Sequence, residues 1–325
     1  MREIQFREAL REAMNEEMRR DEKVFLMGEE VAEYNGAYKV SQGMLDEFGA
    51  QRVIDTPIAE LGFAGLGVGA AMNGLRPIIE FMTFNFSLVA IDQVINSAAK
   101  VMSMSGGQIN CPIVFRGPTG NAGQLSSQHS QNFENWFANT SGLKVVVPSN
   151  PYDAKGLLKS SIRDNDPVIF MESELMYGDK GAVPEEEYLI PIGQAEVVRE
   201  GNTATLVSFG KMMKVANEAA DEMAKEGVDL EVIDLKSVRP IDYLTVINSV
   251  KKTNRLVIVE EAWPLASISS ELSHHIQKNA FDYLDAPVTR ITNKDLPLPY
   301  APTLIEEILP NVKRTIEAVN AVCYR

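Results

Sequence analysis

Three short stretches carry side chains able to do chemistry. In Asp55-Thr56-Pro57-Ile58-Ala59-Glu60, Asp55 or Thr56 can cap a helix and Pro57 can open it, which places Glu60 in the first turn. A carboxylate there is favoured by the helix dipole, and it can also act as a general acid or base. The residue types alone leave both readings open. Glu80-Phe81-Met82-Thr83-Phe84-Asn85-Phe86 ends an apolar run and leads into a helical pattern. Its aromatics are either core, or, for Phe84 and Phe86, a surface on which a flat ligand could stack at a strand's carboxyl end. The third stretch, Gln124-Leu125-Ser126-Ser127-Gln128-His129-Ser130-Gln131, follows Arg116-Gly117-Pro118-Thr119-Gly120-Asn121-Ala122-Gly123 and holds one of only three histidines. A long Gly-, hydroxyl- and amide-rich connection of this kind carries function more often than packing, although a plain surface histidine fits it too.

Other catalytic signatures are missing. There is no P-loop, HExxH, GxSxG or Cys/His metal cluster, and His274-His275 lie on a charged amphipathic helix without acidic or thiol companions at ligand spacing. The glycines behind Glu60 do not form GxGxxG, because Gly65 and Gly67 are followed by Ala70 and no strand runs directly into them. Each of Gly62, Gly65, Gly67 and Gly69 costs a helix about 1 kcal/mol relative to Ala. Gly65 and Gly69 share a face, so a close helix crossing or subunit contact is expected there.

These stretches are set in a repeated alternation of β-branched runs and helical-period segments, the signature of a parallel-sheet α/β fold. Strands are expected at 76–84, 112–116, 144–148 and 167–172, with helices at 86–104 and 152–164, the latter capped by Asn150 with Pro151 following. The N-terminal segment reads as an amphipathic surface helix. Gly181 to Gly193 breaks the rhythm with prolines and an acidic run, dividing the chain into domains 1–185 and 186–325. The second half resumes with strands at 204–209, 230–235, 255–260 and near 288–292, and helices at 212–226, 243–252, 265–281 and from 304. Both halves are expected to be doubly wound sheets with ligands at strand carboxyl ends.

The 325 residues include 31 Lys+Arg and 45 Asp+Glu, a formal net charge of −14. That charge disfavours nucleic acid and anionic membranes as partners and favours basic ones. No window approaches the roughly 18 apolar residues of a membrane span. Cys111 and Cys323 form no CxxC pair, and the first residues lack the apolar run of a signal peptide. A reducing, cytoplasmic setting in a bacterium is expected, and a trimmed organellar chain would look similar.

The strings DTPIAELGFAGLGVGAAMNGLRPIIEFMTFNFSLVAIDQVINSAAK, PIVFRGPTG, QHSQ, GLKVVVPSNPYDAKGLLKSSIRDNDPVIFMESELMYG and VIDLKSVRPID span nearly the whole chain. They resemble the beta subunits of the pyruvate dehydrogenase first component, thiamine diphosphate enzymes of the transketolase-like family. The resemblance implies an N-terminal pyrimidine-binding domain and a transketolase C-terminal-like domain. The implied reaction is the oxidative decarboxylation of pyruvate with transfer of the acetyl group to the lipoyl arm of an acetyltransferase component. EFMTFNFS favours pyruvate over the branched-chain 2-oxoacid and acetoin relatives; a noncatalytic assembly subunit is the rival of a different class.

By position, Glu60 matches the carboxylate that bonds the cofactor's pyrimidine nitrogen and promotes its imino tautomer. Met82 and Phe86 match ring contacts, and His129 matches the histidine acting at the substrate and lipoyl step. A potassium ion held mainly by carbonyl oxygens would involve Ile113, Ser161, Ile162, Asp164 and Asp166, the last where relatives are expected to carry Asn. Magnesium bound to a diphosphate needs a GDG segment followed by paired Asn. Gly178-Asp179-Lys180 is the nearest string and no Asn pair follows it. The resemblance therefore assigns magnesium to an alpha subunit in a heterotetramer, with the glycine-rich helix at a subunit contact. The acidic C-terminal domain would dock a basic segment of the acetyltransferase.

Overall fold

A computed structural model describes residues 1–325. The elements run β1 (Arg2–Gln5), α1 (Phe6–Arg20), β2 (Val24–Gly28), α2 (Met44–Phe48), β3 (Val53–Asp55), α3 (Glu60–Met72), β4 (Arg76–Glu80), α4 (Val101–Met104), β5 (Val114–Pro118), α5 (Glu134–Ala138), β6 (Lys144–Val146), α6 (Pro151–Arg163), β7 (Val168–Glu172) and β8 (Lys180–Val183). After them come β9 (Glu196–Arg199), β10 (Ala204–Ser208), α7 (Met212–Lys225), β11 (Leu230–Asp234), β12 (Ser237–Arg239), α8 (Tyr243–Thr253), β13 (Leu256–Val259), α9 (Ile268–Ala280), β14 (Thr289–Ile291), α10 (Pro302–Ile308) and α11 (Val312–Val322). Two compact units result: Met1–Thr119 with Trp136–Ile192, and Gly120–Asn135 with Gly193–Arg325. The connection that carries His129 thus belongs to the second unit. No helix is long and apolar enough to cross a membrane.

In the first unit the strands lie in the order β6-β7-β5-β4-β2-β3, all parallel, as the βα alternation requires. Strands such as Val168–Glu172 are buried along their whole length, which is why they read as continuous apolar runs rather than alternating ones. Helix α1 spaces Phe6, Ala9, Leu10, Ala13, Met14 and Met18 on one buried face and leaves the rest part-exposed, the amphipathic surface helix the sequence predicts. Its other flank meets α6 through charge. Lys155 and Lys159, almost fully buried, pair with Glu12, Glu16 and Glu17, with Lys155 Nζ 2.6 Å from Glu16 Oε1. Asn150 Oδ1 accepts the Asp153 N–H at 2.9 Å ahead of Pro151, which is the cap the sequence predicts.

One expectation needs correction. The helix expected over 86–104 is broken into a tight turn at Phe84–Leu88, a widened turn at Gln93–Ala98 and α4. Side chains compete for the backbone there: Thr83 Oγ1 accepts from the Asn85 N–H at 3.4 Å, and Ser87 Oγ donates to the Phe84 carbonyl at 2.6 Å. Among the α3 glycines, Gly65 faces the turn Gln93–Ala98, where an added Cβ would lie 3.3 Å from Gln93 Cδ, and Gly67 faces β4. A Cβ on Gly67 would fall 2.6 Å from Ile79 Cδ1 of β4, whereas one on Gly69 would meet nothing within 4 Å. Leu61 and Leu66 of α3, and Ile58 just before it, are exposed.

In the second unit the order is β14-β13-β10-β11-β9, parallel except for β9 at the edge. Met213, Ala216 and Ala220 of α7 share a core with Val319 and Val322 of α11. Tyr243 of α8 stacks on His275 of α9 with ring centroids 3.7 Å apart. His275 thus packs against a ring, in keeping with the absence of ligand spacing around it.

Candidate active site

Three parallel strands of the first unit end in acidic residues, Asp55, Glu80 and Glu172. Gly28 of β2, Glu80 of β4 and Arg116 of β5 lie side by side in register, and Glu29 follows directly. Asp55, ending β3, turns its carboxylate to the N–H groups of Ala32 and Glu33 at 2.7 and 3.0 Å, fixing the turn after Glu29. Because Asp55 is engaged there, it does not cap α3. That helix starts at Glu60 itself, with Ala59 at the cap and no side-chain cap bond, later than the sequence suggested for Pro57. Glu60 is nevertheless buried in the first turn, where the dipole favours its charge.

Electrostatically the site holds more acid than base. Burial first, then the charge of Glu60 and a hydrogen bond with it, then Glu80, push the Glu29 carboxyl up to about 7. Glu29 therefore takes up a proton near neutrality. Glu80 is also raised, chiefly by burial, with Arg116 opposing. Arg116 bridges Glu80 and Glu172, its Nε 2.6 Å from Glu172 Oε1, and the Tyr177 hydroxyl donates to Glu172 Oε2 at 2.7 Å. All four are buried. Sequence reasoning missed Glu29, whose signal was the acidic pair ending the apolar run VFLMG, and the ion network, whose signal was a lone Arg inside a strand.

Met82 and Phe86 are half-buried just past β4, whereas Phe84 is core. Phe84 packs edge-on against Phe81 and Phe137, with centroids 5.5 and 5.8 Å away, so it offers no stacking surface. His129 closes a single turn, Ser127–His129, in the loop of the second unit.

The residues matched to potassium are placed as follows. The carbonyls of Ile162 and Asp164 converge on one cationic donor, Arg76 Nη1, at 3.0 and 2.9 Å. The Ile113 carbonyl accepts the Val168 N–H at 2.9 Å, and the Ser161 carbonyl accepts that of Asp164 at 3.3 Å. The Asp164 and Asp166 carboxylates hold Lys144 at 2.6 and 3.1 Å. No group of three His, Cys, Asp or Glu is arranged to hold a metal ion.

Residues 2–180 match the model of the transketolase pyrimidine binding domain, and residues 193–315 that of the transketolase C-terminal domain. The chain is 59% identical over 320 residues to the pyruvate dehydrogenase E1 component subunit beta of Rhizobium meliloti, covering 98% of this chain and 70% of that one. It is 56% identical to the subunit of the same name from Rickettsia felis, covering 99% of both chains. The chain belongs to the family of pyruvate dehydrogenase E1 beta subunits. The mitochondrial beta-1 subunit of Oryza sativa is 52% identical, with 100% of this chain and 88% of that one covered. A solved split-gene transketolase, an inactive beta4 tetramer, shares the fold at a TM-score of 0.80 and 20% identity, over 99% of this chain and 98% of that one.

In this beta subunit the acidic corner is chemically suited to a flat heteroaromatic ring. Glu29 Oε1 and Thr56 Oγ1 are buried oxygens without a hydrogen-bond partner, and the Thr56 N–H is tied to the Gly28 carbonyl at 3.0 Å beside Glu29. Unpaired buried acceptors are costly unless a bound group satisfies them, which an amino-substituted ring would do.

Proposed function

We propose that this chain supplies the pyrimidine-binding half of a thiamine diphosphate site shared with an alpha subunit. The proposed reaction is oxidative decarboxylation of pyruvate with reductive acetylation of a lipoyl group. The observation that carries the reading is Glu60: a buried carboxylate opening α3, beside the acid Glu29, at the carboxyl ends of the pyrimidine-domain sheet.

When bound, the cofactor would supply a nucleophilic carbon and an electron sink for the decarboxylation. The chain's own residues do the rest. Glu60 would hold the pyrimidine ring nitrogen and exchange a proton there, with Glu29 as the neighbouring proton reservoir. Met82 and Phe86 would line the ring and exclude water. His129 donates the proton taken by one dithiolane sulfur while the other sulfur receives the acetyl group.

Magnesium and the diphosphate are assigned to the alpha subunit, since no paired Asn follows Gly178-Asp179-Lys180. The exposed Ile58, Leu61 and Leu66, beside open Gly69, support a subunit contact along α3. The acetyltransferase component is the proposed partner of the acidic second unit. A potassium ion is proposed at the carbonyls of Ile113, Ser161, Ile162, Asp164 and Asp166, two of which already converge on a cation. Free Cys111 and Cys323 suit a reducing compartment, and a bacterial cytoplasm is the proposed location.

The test is reconstitution. The purified chain should not turn over pyruvate with thiamine diphosphate and magnesium until an alpha subunit is added; turnover by the chain alone overturns the shared site. Preference of the assembled enzyme for 2-oxoisovalerate overturns the substrate.

A further inference from the structure

We infer that Glu261, with Lys211, is a positioning residue for the loop that bears His129. The inference rests on the proposed role of His129 at the lipoyl step.

The loop from Gly120 to Asn135 is pinned at both ends by the segment that follows β13. At its entrance the Asn121 peptide is held on both sides. Its N–H donates to the Glu261 carboxylate, and its carbonyl accepts from Lys211 Nζ at 3.2 Å. Lys211 and Glu261 form a contact ion pair whose side chains are 12% and 5% exposed, so the pair is poorly screened by solvent. At the exit the Asn132 carboxamide donates to the Glu261 carbonyl, and that of Asn135 donates to the Ala266 carbonyl at 3.0 Å. The neck is closed by the Gly120 N–H, which donates to the Gln131 carbonyl at 2.9 Å. Gly120 is needed there: its φ is +77°, and a Cβ would lie 2.9 Å from both Glu261 Oε1 and Asn132 Oδ1.

One residue, through its side-chain carboxylate at the entrance and its main-chain carbonyl at the exit, therefore gathers both ends of the loop, while Lys211 brings in the start of α7; Glu261→Ala releases the entrance alone. Between the anchors Gln124 Nε2 donates to the Tyr300 carbonyl at 3.2 Å. Glu134, at the loop's exit, is pushed up to about 8 mainly by burial and then by the charges of Glu261 and Glu260. It is mostly neutral at physiological pH and does not compete with Glu261 for Lys211. Loosening the neck spreads His129 over many orientations, and misplacement of a proton donor by an ångström slows transfer steeply.

The test uses the reconstituted alpha/beta enzyme carrying Glu261→Ala, Glu261→Gln, Lys211→Met or His129→Ala. Three readouts are compared: pyruvate oxidation by an artificial dye, acetylation of a free lipoyl domain, and hydrogen exchange of peptides within 120–135 and β13. Glu261→Ala should raise exchange in the loop while β13 stays protected. It should lower kcat for lipoyl acetylation about tenfold or more, with dye-coupled oxidation within about twofold of the parent. Glu261→Gln, which keeps an acceptor for the Asn121 N–H, should recover much of the loss, and Lys211→Met should resemble Glu261→Ala. Unchanged loop exchange, or equal losses in both activities with exposure of β13, overturns the inference. Looser exchange with normal acetylation also overturns it when His129→Ala is impaired. If His129→Ala is unimpaired, looser exchange upholds the anchoring and the role of His129 falls instead.

Discussion

Arg116 on β5 donates through Nε to Glu172 Oε1 on the adjacent β7 at 2.6 Å, deep beneath the acidic corner, while its other edge reaches Glu80. Removing it leaves two carboxylates buried without a counter-charge. Arg116→Met should therefore destabilise the fold by about 3–5 kcal/mol, read from urea unfolding. A midpoint equal to that of the parent would show that the network contributes nothing net.

Glu29 provides a pH signature. Its folded-state value of about 7 lies above the ordinary 4.5, so the folded form binds the proton more tightly than the unfolded chain. The associated stability is fully present below about 4.5 and is lost as pH rises through about 7. Glu29→Gln should flatten this part of the profile, giving a smaller fall in Tm between roughly pH 5 and pH 8 than the parent shows. Parallel profiles would contradict the assignment.

Glu60→Gln keeps the size of the side chain but removes its charge. In the assembled enzyme it should cut pyruvate turnover by about a hundredfold or more, the scale of general acid–base catalysis, with little change in the unfolding curve. Near-normal turnover would favour the noncatalytic assembly role over the catalytic one.

The carbonyls of Ile162 and Asp164 allow potassium to be tested without any assay of activity. An ion bound only by the folded chain raises Tm by mass action, so potassium chloride should give a higher midpoint than tetramethylammonium chloride at equal ionic strength. Identical midpoints would leave Arg76 as the sole cation serving those oxygens.

The architecture was legible because parallel strands such as Val168–Glu172 and Leu256–Val259 are buried on both faces and so announce themselves as unbroken apolar runs. Glu60 was legible for a local reason, its place just after a Pro-containing turn. What escaped was set by long-range partners. Asp55 looks like a helix cap until the turn at Ala32 claims it, and Thr83 and Ser87 divert a backbone that the apolar period alone assigns to a helix. Arg116 in a strand gives no hint of two glutamates on neighbouring strands. The loop bearing His129 was visible by composition, but its anchor Glu261 stands 140 residues from Asn121 and nothing local links them.

The antiparallel pairing of Arg2–Gln5 with Lys180–Val183 joins the two extremities of the first unit like a clasp. Neither end of that unit can fray without pulling on the other, and the Phe6 N–H bonded to the Asp179 carbonyl at 2.8 Å extends the closure to the root of α1. A chain still emerging from the ribosome lacks this seam until its one-hundred-and-eighties have appeared, so the unit that holds the acidic corner is finished from its far end.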